Sequence, residues 1–468
     1  MAINVNGSSN FTSILCNGTL NGADLNNFPI DRLVTKTGRA IWERLMVDAS
    51  SLVDFTYTQS GHNARITGWK QTLNGVPSTV CKVPNSSYII LNNVNFRSYP
   101  NMTSIEIPSS VDMFIKTLSS EFYNMQNLTS ANVIVPIVND ISGIYQNCIK
   151  LTTPPVCWNN VTNMSSSYMN CYSMTGNPVS GPNVTNMYGA YYNCTNLTGS
   201  PVSGPNVVNM DRAYSSCTNL TGSPACGPNV TSLDSTYQGC TKLTGNAVCG
   251  DKVTDMFRTY QGCTNLAGIP ASGPNVTNMS NTYNGCSKLT GSPVCGDKVT
   301  DMGSTYNNCR NLKGSPVCGP NVVNMSNSYM DCFNITGSPV CGDKVTNMYG
   351  AYYNCRNLTG VAICGPNVTN IVYAYYGCDN IANNAYFYSN NISNARSCFG
   401  IKDIRHRINI YVHNGSTTMN SCLINNAGSV LGTSITWTNN GTCYYNTSQN
   451  IYIYPVANVA AARATNKD

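Results

Sequence analysis

Apolar residues in the middle of this chain return every 23 positions, separated by short runs of Asn, Ser, Thr and Gly. In the unit that begins at Cys194 they fall at Cys194, Leu197, Val202, Val207, Met210 and Tyr214. That spacing matches neither the 3.6-residue period of a helix nor the two-residue period of a strand. It predicts a chain that turns several times per unit and points one apolar side chain inward at each corner, so that successive units stack as coils. The most regular column is Cys148, Cys171, Cys194, Cys217, Cys240, Cys263, Cys286, Cys309, Cys332, Cys355 and Cys378. A tyrosine stands three residues before each, as in Tyr191, Tyr214 and Tyr237, and an aliphatic residue or methionine three after, as in Leu151, Met174 and Leu197. Two degenerate units precede these in phase, Tyr99-Met102-Ile105 and Phe122-Met125-Leu128, which makes about thirteen coils between roughly residues 95 and 401.

Within a coil, the segment Leu197-Thr-Gly-Ser-Pro201-Val202 is the expected strand, kept short by a proline that lacks a ladder donor. Gly204-Pro205-Asn206, or its replacement Gly250-Asp251-Lys252, is the expected tight turn. The Val-Thr-Asn-Met-x-x-x-Tyr-x-x-Cys half has spacings of three and four and predicts a helical or 3₁₀ turn. The ends break the period. Residues 1–90 read as an attachment arm and cap, with one amphipathic helix expected within 31–55 and the first coil covered by residues 60–95. Residues 91–401 are the repeat array. Residues 402–468 alternate apolar and polar at Ile408–Val412, Ser434–Trp437 and Ile451–Tyr454, and Asn414-Gly415 and Asn440-Gly441 punctuate them, which predicts a small β module.

The repeated string Asn-Val-Thr-Asn-Met-x-x-x-Tyr-x-x-Cys-x-x-Leu resembles the BspA-like leucine-rich repeats of bacterial and protist surface proteins, above all their mycoplasma-type variant. That variant reads Val-Thr-x-Met-x-x-Met-Phe-x-x-Cys-x-x-Leu. Here tyrosine stands where the variant has phenylalanine, and the strand half is poorer in leucine and richer in Pro and Gly. Ile66-Thr67-Gly68-Trp69 and Asn74-Gly75-Val76-Pro77 are similar to the lead-in of such arrays. The resemblance implies a right-handed leucine-rich-repeat solenoid with a part in adhesion or recognition. It names no ligand.

Only 10% of the 468 residues are charged, yet no apolar run approaches the roughly 18–20 residues that cross a bilayer, so membrane insertion is not expected. A net charge of +6 without a Lys/Arg-rich run argues against nucleic acid. The chain opens without a basic, apolar leader, and the expectation is release by some route other than ordinary secretion. The 23 cysteines admit a disulfide framework, but equal cysteines stacked at about 4.8 Å with parallel side chains do not converge as a disulfide needs. A buried column of free thiols is the expectation. A second column, nine residues after the first (Cys157, Cys226, Cys249, Cys295, Cys318, Cys341 and Cys364), exchanges with serine and is expected nearer the surface. Spacings of 9 and 14 do not match zinc pairs, so neither a metal nor any other cofactor is expected.

No catalytic motif is present. The carboxylates Asp251, Asp255, Asp297, Asp301 and Asp343 recur at repeat positions, where capping a turn competes with glycoside chemistry. Two exposed rows are binding candidates. One holds Lys252, Lys298 and Lys344; the other holds Lys242 and Lys288 among Asn196, Asn219, Asn265 and Asn311. Either they hold a glycan or a repetitive wall polymer, or they only keep the solenoid soluble. The expected protein is a non-enzymatic structural and recognition component of a bacteriophage particle (tail tip, fibre or head surface). It would be exposed on the virion, joined to other virion proteins by its N-terminal arm, homo-oligomeric, and bound to a host-surface glycan or protein. A bacterial or protist adhesin at the cell surface is the rival, and a carbohydrate-active enzyme the rival from another class.

Overall fold

A computed structural model describes residues 54–466, apart from breaks at 61–62, 71, 74–75, 85–88, 92–93, 110–116, 401–406, 426 and 428–435, together with short strands within residues 1–53. The chain divides into two compact units, one of residues 1–116 with 127–137 and one of residues 117–126 with 138–468.

The larger unit is the repeat solenoid. In the coil around Cys194, Val184, Met187, Tyr191, Cys194 and Leu197 are wholly buried, and their counterparts in neighbouring coils are too. Like residues one period apart stack directly. Tyr191 lies 5.4 Å from Tyr214 and Tyr214 lies 5.6 Å from Tyr237, ring over ring. The column opens with Phe122 on Tyr145 at 5.2 Å and closes with Tyr375 on Phe399 at 5.4 Å.

Backbone bonding explains the rest of the coil. The N–H groups of Met187, Gly189, Tyr191 and Asn193 donate to carbonyls of the next coil at 2.8–2.9 Å, while those of Ala190, Tyr192 and Cys194 donate to the residue three back at 3.0–3.1 Å. This alternation puts Gly189 and Asn193 at positive φ, 55° and 61°. The same two positions hold Arg212 and Ser216, or Asn327 and Asp331, elsewhere, and the second position uses only Asn, Ser, Gly and Asp from Asn147 to Gly377. Those are the residues that enter the left-handed region at least cost.

The structure corrects the expected strand. In the regular coils the parallel pairing between neighbours is a single-residue column, Asn163–Asn186–Asn209–Ser232 and onward, in the Val-Thr-Asn-Met half. The Pro-Val segment stays out of a sheet because tyrosine takes its backbone groups. The Tyr191 hydroxyl donates to the Val179 carbonyl at 2.7 Å and accepts the Val179 N–H at 3.0 Å. The same pair of bonds recurs from Tyr168–Val156 to Tyr352–Val340. Phenylalanine could not make them. The thiols of the main column also bond: Cys194 and Cys217 donate to the carbonyls of Tyr168 and Tyr191 at 3.0 Å. All described cysteines are free.

Toward the end the pairing becomes an ordinary sheet. Ala362–Cys364, Asn384–Phe387, Ile408–His413 and Ile451–Val456 lie parallel in that order, followed antiparallel by Tyr444–Asn446 and Thr438–Asn439. Asn440-Gly441 turns the last hairpin, as its sequence predicts. Asn414-Gly415 does not make a hairpin. It leads into the helix Thr417–Ile424, whose N-cap Ser416 accepts the Met419 N–H at 3.1 Å. Residues 434 and 435, the start of another expected strand, lie outside the described residues.

In the smaller unit, Phe55–Ser60 pairs antiparallel with Asn63–Trp69, and Ile89–Leu91 runs parallel to the latter. Ser104–Ile107 lies between Val80–Lys82 and Ser130–Val133 in a parallel sheet that buries Cys81, Ile105, Ile107 and Val133. Among the described residues, Tyr99 joins no ring stack. It meets Trp69 edge-on at 5.5 Å and accepts the Trp69 N–H at 3.0 Å. The helix expected within 31–55 is overturned where residues are described: Arg32–Val34 and Ala40–Glu43 pair as antiparallel strands. An apolar spacing of three to four is also compatible with short strands in a hairpin, and length did not arbitrate. Most of the expected attachment arm lies outside the described residues.

Candidate functional site

The turn half of each coil ends in Asn-Val-Thr or a variant of it, with the valine buried and its two neighbours outside. Stacking converts that triplet into two parallel banks. Asn160, Asn183, Asn206 and Asn229 form one, and Thr162, Thr185, Val208 and Thr231 the other, with a groove between them that ends at Lys252. The side-chain amides bond downward: Asn183, Asn206 and Asn229 each donate to a backbone carbonyl of the preceding coil at 2.9–3.0 Å. The threonine hydroxyls do the same. Thr162, Thr185 and Thr231 donate to carbonyls one coil back at 3.1–3.3 Å. Each asparagine keeps a second amide N–H and its Oδ1, and each threonine Oγ1 keeps acceptor capacity. The groove therefore offers an asparagine amide in each coil and a threonine hydroxyl in every coil but that of Val208, a repeating polar row for a ligand that carries hydroxyls.

The lysines predicted from the sequence sit within these columns. Lys252, Lys298 and Lys344 donate through Nζ to Oδ1 of Asn229, Asn275 and Asn321 at 2.6–2.7 Å, so each is tied to the coil before it. Lys242 and Lys288 reach Asn219 and Asn265 in the same way, both at 2.6 Å. Asn219, Asn265 and Asn311 in turn donate to carbonyls one coil back, and the Asn219 amide also reaches Asn196 Oδ1 at 3.5 Å. In both rows the side chains bond from coil to coil, with the lysines exposed and Asn219 and Asn265 half-buried. The Asn/Thr banks were not singled out from sequence, although the recurring Asn-Val-Thr triplet was the available signal.

Two of the five predicted carboxylates cap turns. Asp255 and Asp301 accept the N–H two residues on, from Phe257 at 2.9 Å and Gly303 at 2.7 Å. Asp211 and Asp234 stand at equivalent positions of adjacent coils. Burial raises the Asp211 carboxyl above its usual range, opposed by its bond from the Ser232 hydroxyl and aided by the Asp234 charge. Burial also raises Asp255. In the second thiol column Cys157, Cys226, Cys249, Cys295, Cys318 and Cys341 are half-buried and Cys364 is buried. Burial pushes Cys157 and Cys295 up to about 11 and Cys249 up to about 12, which leaves them thiols, not thiolate nucleophiles, at neutral pH. Among the described residues, no group of three or more His, Cys, Asp or Glu could hold a metal ion.

Residues 111–225 match a family described as Mycoplasma protein of unknown function, DUF285. That match covers about a quarter of the chain and lies within the repeat array. No protein of curated function matches the chain. Among solved structures, a leucine-rich repeat protein from Bacteroides ovatus is 14% identical, with 71% of this chain and 92% of that one covered and a TM-score of 0.43. A leucine-rich cell surface protein from Faecalibacterium prausnitzii is also 14% identical, with 71% and 93% covered and a TM-score of 0.30.

Proposed function

We propose that this solenoid is a non-enzymatic recognition surface that lies along a hydroxyl-rich polymer, as an adhesion protein would. One observation carries the reading: the Asn/Thr groove repeats the same amide and hydroxyl groups coil after coil, each held in place by one bond to the backbone of the coil before it. A glycan chain displays hydroxyl donors at a similar regularity, and shallow polar contacts repeated many times add up to useful avidity. The lysines at every second coil would then meet acidic or phosphate substituents.

The finer reading places the chain on a bacteriophage particle, as a tail-tip, fibre or head-surface component held by its N-terminal arm to other virion proteins, in several copies. Its support is chemical. A core of free thiols bonded to carbonyls suits assembly in the reducing interior of a cell, before release. The low-charge, Asn- and Thr-rich exterior suits the outside of a particle. Mass spectrometry of purified virions tests this, and absence of the chain from the particle would remove it. The binding reading is tested separately by affinity electrophoresis in gels cast with cell-wall polysaccharide of the host. Retardation is expected for the native chain and should be lost in a Thr185→Glu, Thr231→Glu double variant. Unretarded migration of the native chain would overturn the reading.

A further inference from the structure

The sheet near the C-terminus carries a second surface, separate from the groove and independent of it. Along Ile451–Val456, Ile451 and Ile453 are buried, which puts Tyr452 and Tyr454 on the opposite face. Along Ile408–His413 the buried Ile408, Ile410 and Val412 leave Asn409, Tyr411 and His413 on that same outer face. Tyr411 stacks between the buried Tyr386 at 5.1 Å and Tyr454 at 5.2 Å, and Tyr445 stacks on Tyr452 at 5.7 Å, so a three-ring and a two-ring stack meet on this sheet. The Arg407 guanidinium lies 3.8 Å from the centre of the Tyr452 ring. Its Nε donates to Asn409 Oδ1 at 2.6 Å and its Nη2 donates to the Tyr454 hydroxyl. Asn409 donates onward to Asn384 Oδ1 at 3.0 Å.

This network fixes the guanidinium flat on an aromatic ring while using two of its five N–H groups. The remaining N–H groups suffice for a bidentate grip on a carboxylate. Among the described residues, none supplies a carboxylate to Arg407. Charge favours an anion: among the described residues from 407 to 466, Arg407 and Arg463 are basic and none is acidic. Tyr386 and Tyr454 cover the faces of Tyr411, and Tyr445 and Arg407 those of Tyr452, which leaves ring edges and hydroxyls to meet a partner rich in hydroxyl groups. A sugar ring has that character, and a uronic acid adds the carboxylate.

We propose that this face binds a carboxylate-bearing saccharide, with the hydroxyl edges of Tyr452, Tyr454 and Tyr411 beside the sugar hydroxyls and Arg407 on the acid. The test is calorimetric titration of the full chain with a trimer of galacturonic acid and with its methyl ester. The acid should bind at least tenfold more tightly than the ester. Arg407→Gln should weaken the acid at least tenfold, with circular dichroism unchanged, and Lys313→Gln should leave it unaltered. Equal binding of acid and ester, or full binding by Arg407→Gln, would overturn the proposal. So would no saccharide binding combined with self-association that depends on Arg407, which would make the face an interface between copies.

Discussion

At the scale of residues, the choice of tyrosine is the most informative feature of the coil. The ring fills the core as phenylalanine would, but its hydroxyl closes the coil by serving both backbone groups of a residue twelve positions back. Tyr237→Phe should therefore cost about 1–3 kcal/mol, the penalty for leaving the Ala225 N–H and carbonyl poorly satisfied, despite removing one atom. The urea midpoint of the variant measures it, and an unchanged midpoint would show that water replaces the hydroxyl at no cost. Much at this scale was legible. The identity of each column could be read from the period, because a repeated environment selects a repeated residue. The partner of the hydroxyl could not, since it sits across the coil, where no hydropathy pattern reaches. The Asn, Ser, Gly and Asp residues before the ladder cysteines also carried a readable signal of positive φ, as at Asn193 and Ser216, which the apolar pattern does not record.

At the scale of elements, the coil is the unit of folding, and its register is what matters. Removing residues 217–239, one full period, returns every column to its place and should leave a cooperatively folded, shorter solenoid. Removing residues 217–227 shifts Tyr237 off the ring stack and should abolish cooperative unfolding. Circular dichroism during a urea titration separates the two outcomes, and equal behaviour would argue against stacking as the source of stability. The elements misjudged from sequence were those settled by competition for backbone groups. The Pro-Val segment has strand composition but loses its N–H and carbonyl to tyrosine, and Ser416 begins a helix where Asn414-Gly415 alone indicates a hairpin.

At the scale of the solenoid, many weakly acidic groups share one dry core. Burial raises the Cys240 thiol to about 12 from an ordinary value of 9.0, and pushes the Tyr191 hydroxyl well above its ordinary value. These groups keep their protons when folded and lose them when unfolded, so the stability they supply is complete below pH 9. It then falls by roughly 1.4 kcal/mol per pH unit for each such thiol until the folded value near 12 is reached. Because the column has many members, unfolding is expected to become spontaneous between pH 9 and 12. A denaturation midpoint that stayed level from pH 8 to pH 11 would contradict this. What the sequence determined by itself was the period, the inward columns and the stacking they compel, because only a coil returns like residues to like places every 23 positions. Tertiary structure alone decided which backbone groups pair between coils and which surfaces are left to bind. Those depend on hydrogen-bond partners and ring contacts brought together across coils and strands, such as Asn229 with Lys252 and Arg407 with Tyr452, and no local pattern encodes such distances.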